Sequence, residues 1–341
     1  MNGRKVKKGT LNQRLEIEVK MATPHMQHDL LYGNIKLFAG TASPDLAKEI
    51  ANTLGKPLCG RDIIEFPNEN LFVRLHNSVR GQDCYVIQST PAPVHRNLME
   101  LLILIQTLKL DSAGRITAVV PYLCYGRSDK KDKPRVPITA RLVADMIQIA
   151  GADRYMTYDL HAGQIQGFFS IPGDVLRGFH ILKNHLLEIA PCLQNPVVVT
   201  ADLGFAKKGR VYADLVHTGL AFIEKKRTSD IKNPRSMSII GDVDNRDVIL
   251  VDDEVNTGGS MVHAVEILKS HGARNIYMVF VHPVLSGTAA QRLAELPVKR
   301  YITTNTIPIT PEKQALFGDR LKILSIGPML GEVIRRANEG R

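Results

Sequence analysis

Residues 248 to 272, VILVDDEVNTGGSMVHAVEILKSHG, join four apolar residues to two adjacent acids, a Thr-Gly-Gly-Ser turn and an amphipathic stretch. Val248 to Val251 are the residue types of a strand covered on both faces, as in parallel sheets shielded by crossover helices. The apolar spacing from Met261 to Ser270 predicts a helix after the turn. Strand, tight turn and helix in that order make a βα unit and point to an α/β fold. Gly258 and Gly259 let the backbone aim its N–H groups at one point, where the helix N-terminus adds positive potential. Thr257 and Ser260 can donate hydroxyl hydrogen bonds to the same anion, while Asp252 and Asp253 can accept from vicinal hydroxyls. Two neighbouring carboxylates repel each other, so they call for a polyol, a metal or a cation beside them. A phosphate joined to a sugar diol meets both requirements.

Elsewhere strand-like and helix-like segments alternate. IKLFAG, CYVIQST, ITAVVPYL, RYMTYDLH, PVVVTADLG, LAFIEKK, VILVDD, IYMVFVHP and KRYITTNTI read as strands; SPDLAKEIANTLG, HRNLMELLILIQTLKL and PITARLVADMIQIAG read as helices. The 341 residues are enough for two cores, and an echo between TAVVPYL in the first half and NPVVVTADLG and VILVDDEVNTGG in the second supports two similar domains. The expected fold class is therefore α/β, each domain a largely parallel sheet flanked by helices. The first domain is expected over 34–176 and the second over 177–324. The spacing of Met329, Val333, Ile334 and Ala337 predicts a C-terminal helix within 325–341 that docks back on the first. Residues 1–33 carry Arg4, Lys5, Lys7, Lys8, Arg14 and Lys20, few large apolar residues and no signal-peptide core, and read as a disordered basic tail.

Composition excludes several classes. With 44% hydrophobic and 23% charged residues, the chain has no run long enough to cross a bilayer, so no membrane partner is expected. Cys59, Cys84, Cys124 and Cys192 lie far apart without CxxC spacing, which predicts reduced packing cysteines in a cytoplasmic setting. The net charge of +10 is spread along the chain, and there is no Trp, a pattern suited to small polyanions rather than nucleic acid.

Three further segments carry chemistry. In PYLCYGRSDKKDKPRVPITARL, residues 121–142, Arg127, Lys130, Lys131, Lys133 and Arg135 form a cationic loop after a strand, interrupted by Asp129 and Asp132. Ligands bind at the carboxyl ends of strands in open α/β sheets, and a nucleoside triphosphate suits this loop. In YDLHAGQIQGFF, residues 158–169, Asp159 and His161 share one side if the strand continues to His161. Such a pair can hold Mg²⁺, which takes few protein ligands and shares the rest with phosphates and water; Asp202, at another strand end, is a further metal ligand candidate. In AFIEKKRTSDIKNPRS a strand ends in Lys225, Lys226 and Arg227, whose charges can stabilise a transferring phosphoryl group. No Walker A motif or kinase Gly-rich loop is present.

Together these segments resemble ribose-phosphate pyrophosphokinase, the phosphoribosyl diphosphate synthetase family, over about residues 35 to 338. Matching stretches include IKLFAGTASPDLAKEIA, NSVRGQDCYVIQST, SAGRITAVVPYLCYGRSDKKDKPRVPITARLVADMI, YDLHAGQIQGFFSIPGD, VILVDDEVNTGGSM and TNTIPI, in family order. The resemblance implies two phosphoribosyltransferase-like domains. It also implies that the C1 hydroxyl of ribose 5-phosphate attacks the β-phosphorus of ATP, giving 5-phosphoribosyl 1-diphosphate and AMP for nucleotide biosynthesis, with Mg²⁺ required. It assigns Arg127, Ser128 and Asp132 to ATP, and Phe66, Asn68 and Asn70 to a hairpin that reaches the adenine of a neighbouring subunit. His161 and Asp202 fall in the metal and phosphate environment, and Lys225 and Arg227, with His161, in the catalytic set. Asp252, Asp253, Asn256, Thr257, Gly258, Gly259 and Ser260 fall in the ribose 5-phosphate loop. A homo-oligomer is implied, usually a hexamer built from dimers.

The chain departs from the family pattern within the substrate-binding segments. Ser128 stands where Gln is usual, Asn70 where Glu is usual, Asn256 where Asp is common, and Phe205 replaces a glycine of Asp-x-Gly-Gly. The departures at Asn70, Ser128 and Asn256 keep in view a catalytically silent synthetase-associated regulatory subunit, and the VDDEVNTGGS loop, which a phosphoribosyltransferase would share, keeps that enzyme class in view as a second alternative.

Overall fold

The computed structural model describes residues 32–226 and 236–341. Nearly all of the basic N-terminal segment, and Arg227, lie outside the described residues.

The first half opens with β1 (Ile35–Ala39), which leads through α1 (Pro44–Leu54) to an antiparallel hairpin of β2 (Arg61–Glu65) and β3 (Leu71–Leu75). β4 (Asp83–Ile87), α2 (Val94–Leu110), β5 (Arg115–Val119), α3 (Thr139–Ala150), β6 (Arg154–Tyr158) and β7 (Gly173–Leu176) follow. The second half runs α4 (Phe179–Ile189), β8 (Val197–Thr200), α5 (Ala206–Leu215), β9 (Leu220–Lys226), β10 (Ser236–Ile240), β11 (Asp247–Glu254) and α6 (Gly259–Ser270). It ends with β12 (Asn275–His282), α7 (Ala289–Ala294), β13 (Arg300–Thr304), α8 (Pro311–Phe317), β14 (Leu321–Leu324) and α9 (Gly327–Glu339).

The strands form a five-stranded sheet, in the order β1-β4-β5-β6-β7, and a seven-stranded sheet, in the order β10-β9-β8-β11-β12-β13-β14. Every pairing in the first is parallel, and in the second, among the described residues, only β10 on β9 is antiparallel. The expected α/β architecture of largely parallel sheets flanked by helices is present. Every residue of β4 and β5 is buried, because helices cover both faces of the sheet. One face packs on α2 and α3 through Leu101, Ile105, Val143 and Ile147; the other packs on α1 and α9 through Leu46, Ile50, Leu330 and Ile334. The second sheet is covered by α6 through Met261, Val265 and Leu268, and by α4 and α5 through Leu182, Leu186 and Tyr212.

The last helix thus returns to the first sheet. A Cβ on Gly331 of α9 would stand 2.7 Å from Thr53 Cγ2, so the absence of a side chain lets α9 approach α1 closely. Beneath α9, Arg115 donates to both oxygens of Asp83, at 2.8 and 2.6 Å, and to the carbonyl of Ala337 at 3.0 Å. Asn338 Nδ2 donates to Asp83 at 2.8 Å.

β2 and β3 are read from the sequence only as the hairpin that the resemblance implies, and β7, β10 and β14 are not among the strands that it predicts. These last three are edge strands, and β7 and β14 have no fully buried residue, so they lack the continuous apolar run that burial on both faces imposes on the inner strands. All four cysteines are free thiols. Among the described residues no helix is long and apolar enough to cross a membrane.

Candidate active site

Parallel strands place their carboxyl ends along one edge of a sheet, and the two such edges here face one another. After β6, His161 Nδ1 lies 3.0 Å from Asp253 Oδ2 on β11. After β5, Arg127 Nε donates to Glu254 Oε1 on the same strand. At the end of β12, His282 Nε2 lies 3.2 Å from the carbonyl of Asp159.

The turn after β11 is held from behind. The carbonyl of Val255 accepts from Leu285 N at 2.9 Å, that of Asn256 accepts from Ser286 N at 3.0 Å, and that of Thr257 accepts from Arg292. With the carbonyls occupied, the N–H groups of Asn256, Thr257, Gly258, Gly259 and Ser260 donate to no acceptor among the described residues. Gly258 has φ of 76°, a left-handed conformation that a side chain would strain, and it stands at the N-cap of α6. Five unpaired donors at a helix N-terminus are the kind of backbone arrangement that binds an anion.

The two aspartates that precede this turn differ in character. Asp253 is buried; its Oδ1 accepts from Glu254 N at 2.8 Å, and its Oδ2 faces both His161 Nδ1 and Lys208 Nζ, the latter at 3.7 Å. Burial alone would raise the Asp253 pKa, but the hydrogen bond and charge of His161, aided by Lys208, hold it down at about 2. Asp252 has no such partner: its Oδ1 accepts from Asp253 N at 2.8 Å, and burial together with the Asp253 charge pushes its pKa well above the usual carboxylate value. Adjacent carboxyls with pKa values driven apart are a chemically divided pair, one fixed as an anion and one able to take a proton or a cation.

The same contact raises the His161 pKa above 6.5, chiefly through the hydrogen bond to Asp253. A raised histidine stabilises the fold fully below its unfolded value near 6.5, and that contribution fades as pH climbs through the folded pKa. The depressed Asp253 contributes above its unfolded value of 3.8 and loses that contribution as pH falls toward about 2. In the ligand-free protein, NMR titration is expected to show His161 titrating above an ordinary histidine, and Asp253→Asn to bring it down. An unmoved His161 titration in that variant would contradict the pairing.

Some expected residues lie elsewhere. β6 ends at Tyr158, not His161; Asp159 adopts φ of 28°, and its carboxylate accepts from Gly178 N at the start of α4. The turn breaks the alternation that would have put Asp159 and His161 on one side, so only His161 reaches Asp253. Asp202 caps the turn before α5, its Oδ1 accepting from Phe205 N at 3.0 Å. The Ser128 hydroxyl is engaged with Thr139 N at 3.1 Å and Thr139 Oγ1 at 3.2 Å, at the start of α3. Asp132 is exposed on the cationic loop. Phe66, Asn68 and Asn70 occupy the tip of the β2–β3 hairpin, closed by Phe66 N donating to Asn70 O at 2.9 Å, and make no hydrogen bond to His161, Arg127 or Asp253 among the described residues. Lys225, expected in a mobile loop, lies within β9 opposite Met237 of β10, while Arg227 lies outside the described residues.

Glu254 and Lys208 join the site without having been singled out. Glu254 directly follows the paired acids, and Lys208 lies six residues beyond Asp202 at another strand end, but neither spacing identifies a role.

Comparison with known proteins bears on the reading. Residues 35–151 match the family described as the N-terminal domain of ribose phosphate pyrophosphokinase, and residues 226–341 match the one described as the phosphoribosyl synthetase-associated domain. A ribose-phosphate pyrophosphokinase from Wolinella succinogenes is 44% identical over 301 residues, covering 88% of this chain and 95% of the relative. One from Mycobacterium bovis is 46% identical over 308 residues, covering 90% and 93%. The crystal structure of phosphoribosylpyrophosphate synthetase from Mycobacterium smegmatis superposes with a TM-score of 0.85 at 43% identity, covering 90% of this chain and 100% of that one.

Proposed function

The chain belongs to the ribose-phosphate pyrophosphokinase family, and from that premise we propose how its residues divide the work between ATP and ribose 5-phosphate. The enzyme transfers the diphosphoryl group of ATP to the C1 hydroxyl of ribose 5-phosphate, giving 5-phosphoribosyl 1-diphosphate and AMP. One observation carries the placement of the sugar: the five unpaired N–H groups from Asn256 to Ser260 stand directly after the Asp252–Asp253 pair. The 5-phosphate takes the N–H groups, with the Thr257 and Ser260 hydroxyls beside them, and the carboxylates accept from the ribose hydroxyls. Asn256 can hydrogen-bond a hydroxyl but cannot serve as a base.

ATP is proposed to lie across the loop of Arg127, Ser128 and Asp132. Arg127 spends Nε on Glu254, leaving the terminal nitrogens of its guanidinium for phosphate oxygens. With the Ser128 hydroxyl committed to Thr139, phosphate recognition falls more heavily on Arg127. Phe66, Asn68 and Asn70 are proposed to close the adenine pocket of a neighbouring copy, which makes the working unit a homo-oligomer, a hexamer of dimers. We read the two sheets as the cores of two domains, 34–176 with the C-terminal helix and 177–324, in a cytoplasmic enzyme.

Mg²⁺ suits this donor set. Among the described residues no three of His, Cys, Asp or Glu gather as a closed cage, and an ion that draws most of its ligands from phosphates and water needs none. His161 and Asp202 would hold it, and when bound it would offset the charge of the triphosphate. His161 also keeps Asp253 ionised and oriented, while Lys225 and Arg227 are proposed to stabilise charge on the transferring group.

Incubation with Mg-ATP and ribose 5-phosphate is expected to release AMP. Binding of both substrates without AMP would favour the silent regulatory alternative. Asp253→Ala is expected to weaken ribose 5-phosphate binding by about 1.5–3 kcal/mol, the worth of hydrogen bonds to a charged group, with ATP affinity nearly unchanged. If calorimetry shows ATP affinity falling instead, the two substrates have been placed the wrong way round.

A further inference from the structure

Lys208, on the first turn of α5, holds its side chain against the usual habit. Surface lysines bury the stem and extend the ammonium into water. Here the side chain is 43% exposed, yet Nζ is buried and has no hydrogen-bond acceptor. Two features hold the charge: Asp253 Oδ2 at 3.7 Å and the ring of Phe205, whose centroid lies 5.2 Å away. At 3.7 Å the contact with Asp253 is an ion pair but too long for a hydrogen bond, so the ammonium donors remain unused. Phe205, which stands where the family has glycine, supplies a cation–π contact that a glycine cannot. Lys208 and Asp253 both line a cavity of about 440 Å³, together with Arg177, His180 and Lys207.

We propose that Lys208 is a further substrate-binding residue, whose ammonium rests on Asp253 in the free enzyme and moves to an oxygen of the diphosphoryl group when the sugar arrives. The inference rests on reading Asp253 as an acceptor of ribose hydroxyls. Oδ2 of Asp253 is shared by His161 at 3.0 Å and Lys208 at 3.7 Å, so an incoming hydroxyl displaces the longer, non-hydrogen-bonded contact first. The anion site of residues 256–260 takes the C5 end of the sugar, and the carboxylates take its ring hydroxyls. That leaves the C1 end, where the diphosphoryl group arrives, for the cation that reaches Asp253 from α5. Releasing Lys208 as the sugar binds would couple occupation of one substrate site to positive charge for the other.

Lys208→Met keeps the stem and removes the charge, and Lys208→Arg restores a cation. Ribose 5-phosphate binding is read by calorimetry and turnover by AMP release. Lys208→Met is expected to bind ribose 5-phosphate within about threefold of the parent yet turn over at least about tenfold more slowly, with Lys208→Arg recovering part of the loss. An unchanged kcat in Lys208→Met overturns the proposal, and so does an equal loss in both variants, which would mark a packing role. The Asp253→Ala variant separates the two levels. If it binds ribose 5-phosphate normally, the diol assignment itself fails; if binding drops there while Lys208→Met is fully active, only the role of Lys208 fails.

Discussion

Lys225→Ala and Arg227→Ala are each expected to lower kcat by about 10²–10³, the usual loss when one preorganised donor to transition-state charge is removed. The KM for ribose 5-phosphate should change far less, because these residues are proposed to act on the transferring group rather than on the bound sugar. Lys225 lies near the end of β9, paired with Met237 of β10, and Arg227 follows two positions later in the chain. Steady-state kinetics at saturating Mg-ATP decide the matter. Full activity in both variants would remove this segment from the mechanism, and a large rise in KM with kcat preserved would make it a binding element.

Arg115→Ala is expected to destabilise the protein by about 3–5 kcal/mol, because it leaves the Asp83 carboxylate buried without its cation. Asp83 is fully buried and Arg115 is 7% exposed, so water replaces little of the lost contact. The same guanidinium holds the carbonyl of Ala337, and Asp83 accepts from Asn338, so the loss should also loosen α9 from the first sheet. Denaturant unfolding measures the first effect, and hydrogen exchange along α9 the second. Lys cannot reproduce the two-pronged contact, so Arg115→Lys should recover only part of the stability. A variant as stable as the parent would mean that apolar packing of Leu330 and Ile334 alone holds the helix.

The apolar runs of β1, β4, β5, β8, β11 and β12 were legible because burial on both faces imposes continuous hydrophobicity on a local stretch of chain. The turn at Gly258 was legible for the same kind of reason, since its hydroxyls, glycines and acids all fall within one short segment. The reach of β6 was overestimated, because the backbone turn at Asp159 is not encoded in the Asp-Leu-His spacing. Residues joined across the fold could not be paired by local pattern. His161 and Asp253 are separated by 92 positions and Arg127 and Glu254 by 127, and only the meeting of two sheet edges brings them together. The sequence by itself therefore determined the βα units and the chemistry each strand end can offer, since periodicity and turn residues act over a few positions. The tertiary structure alone decided which carboxylate stays ionised, which lysine faces it and which hydroxyl is spent on a helix start, because desolvation and charge pairing depend on neighbours that are distant in the chain.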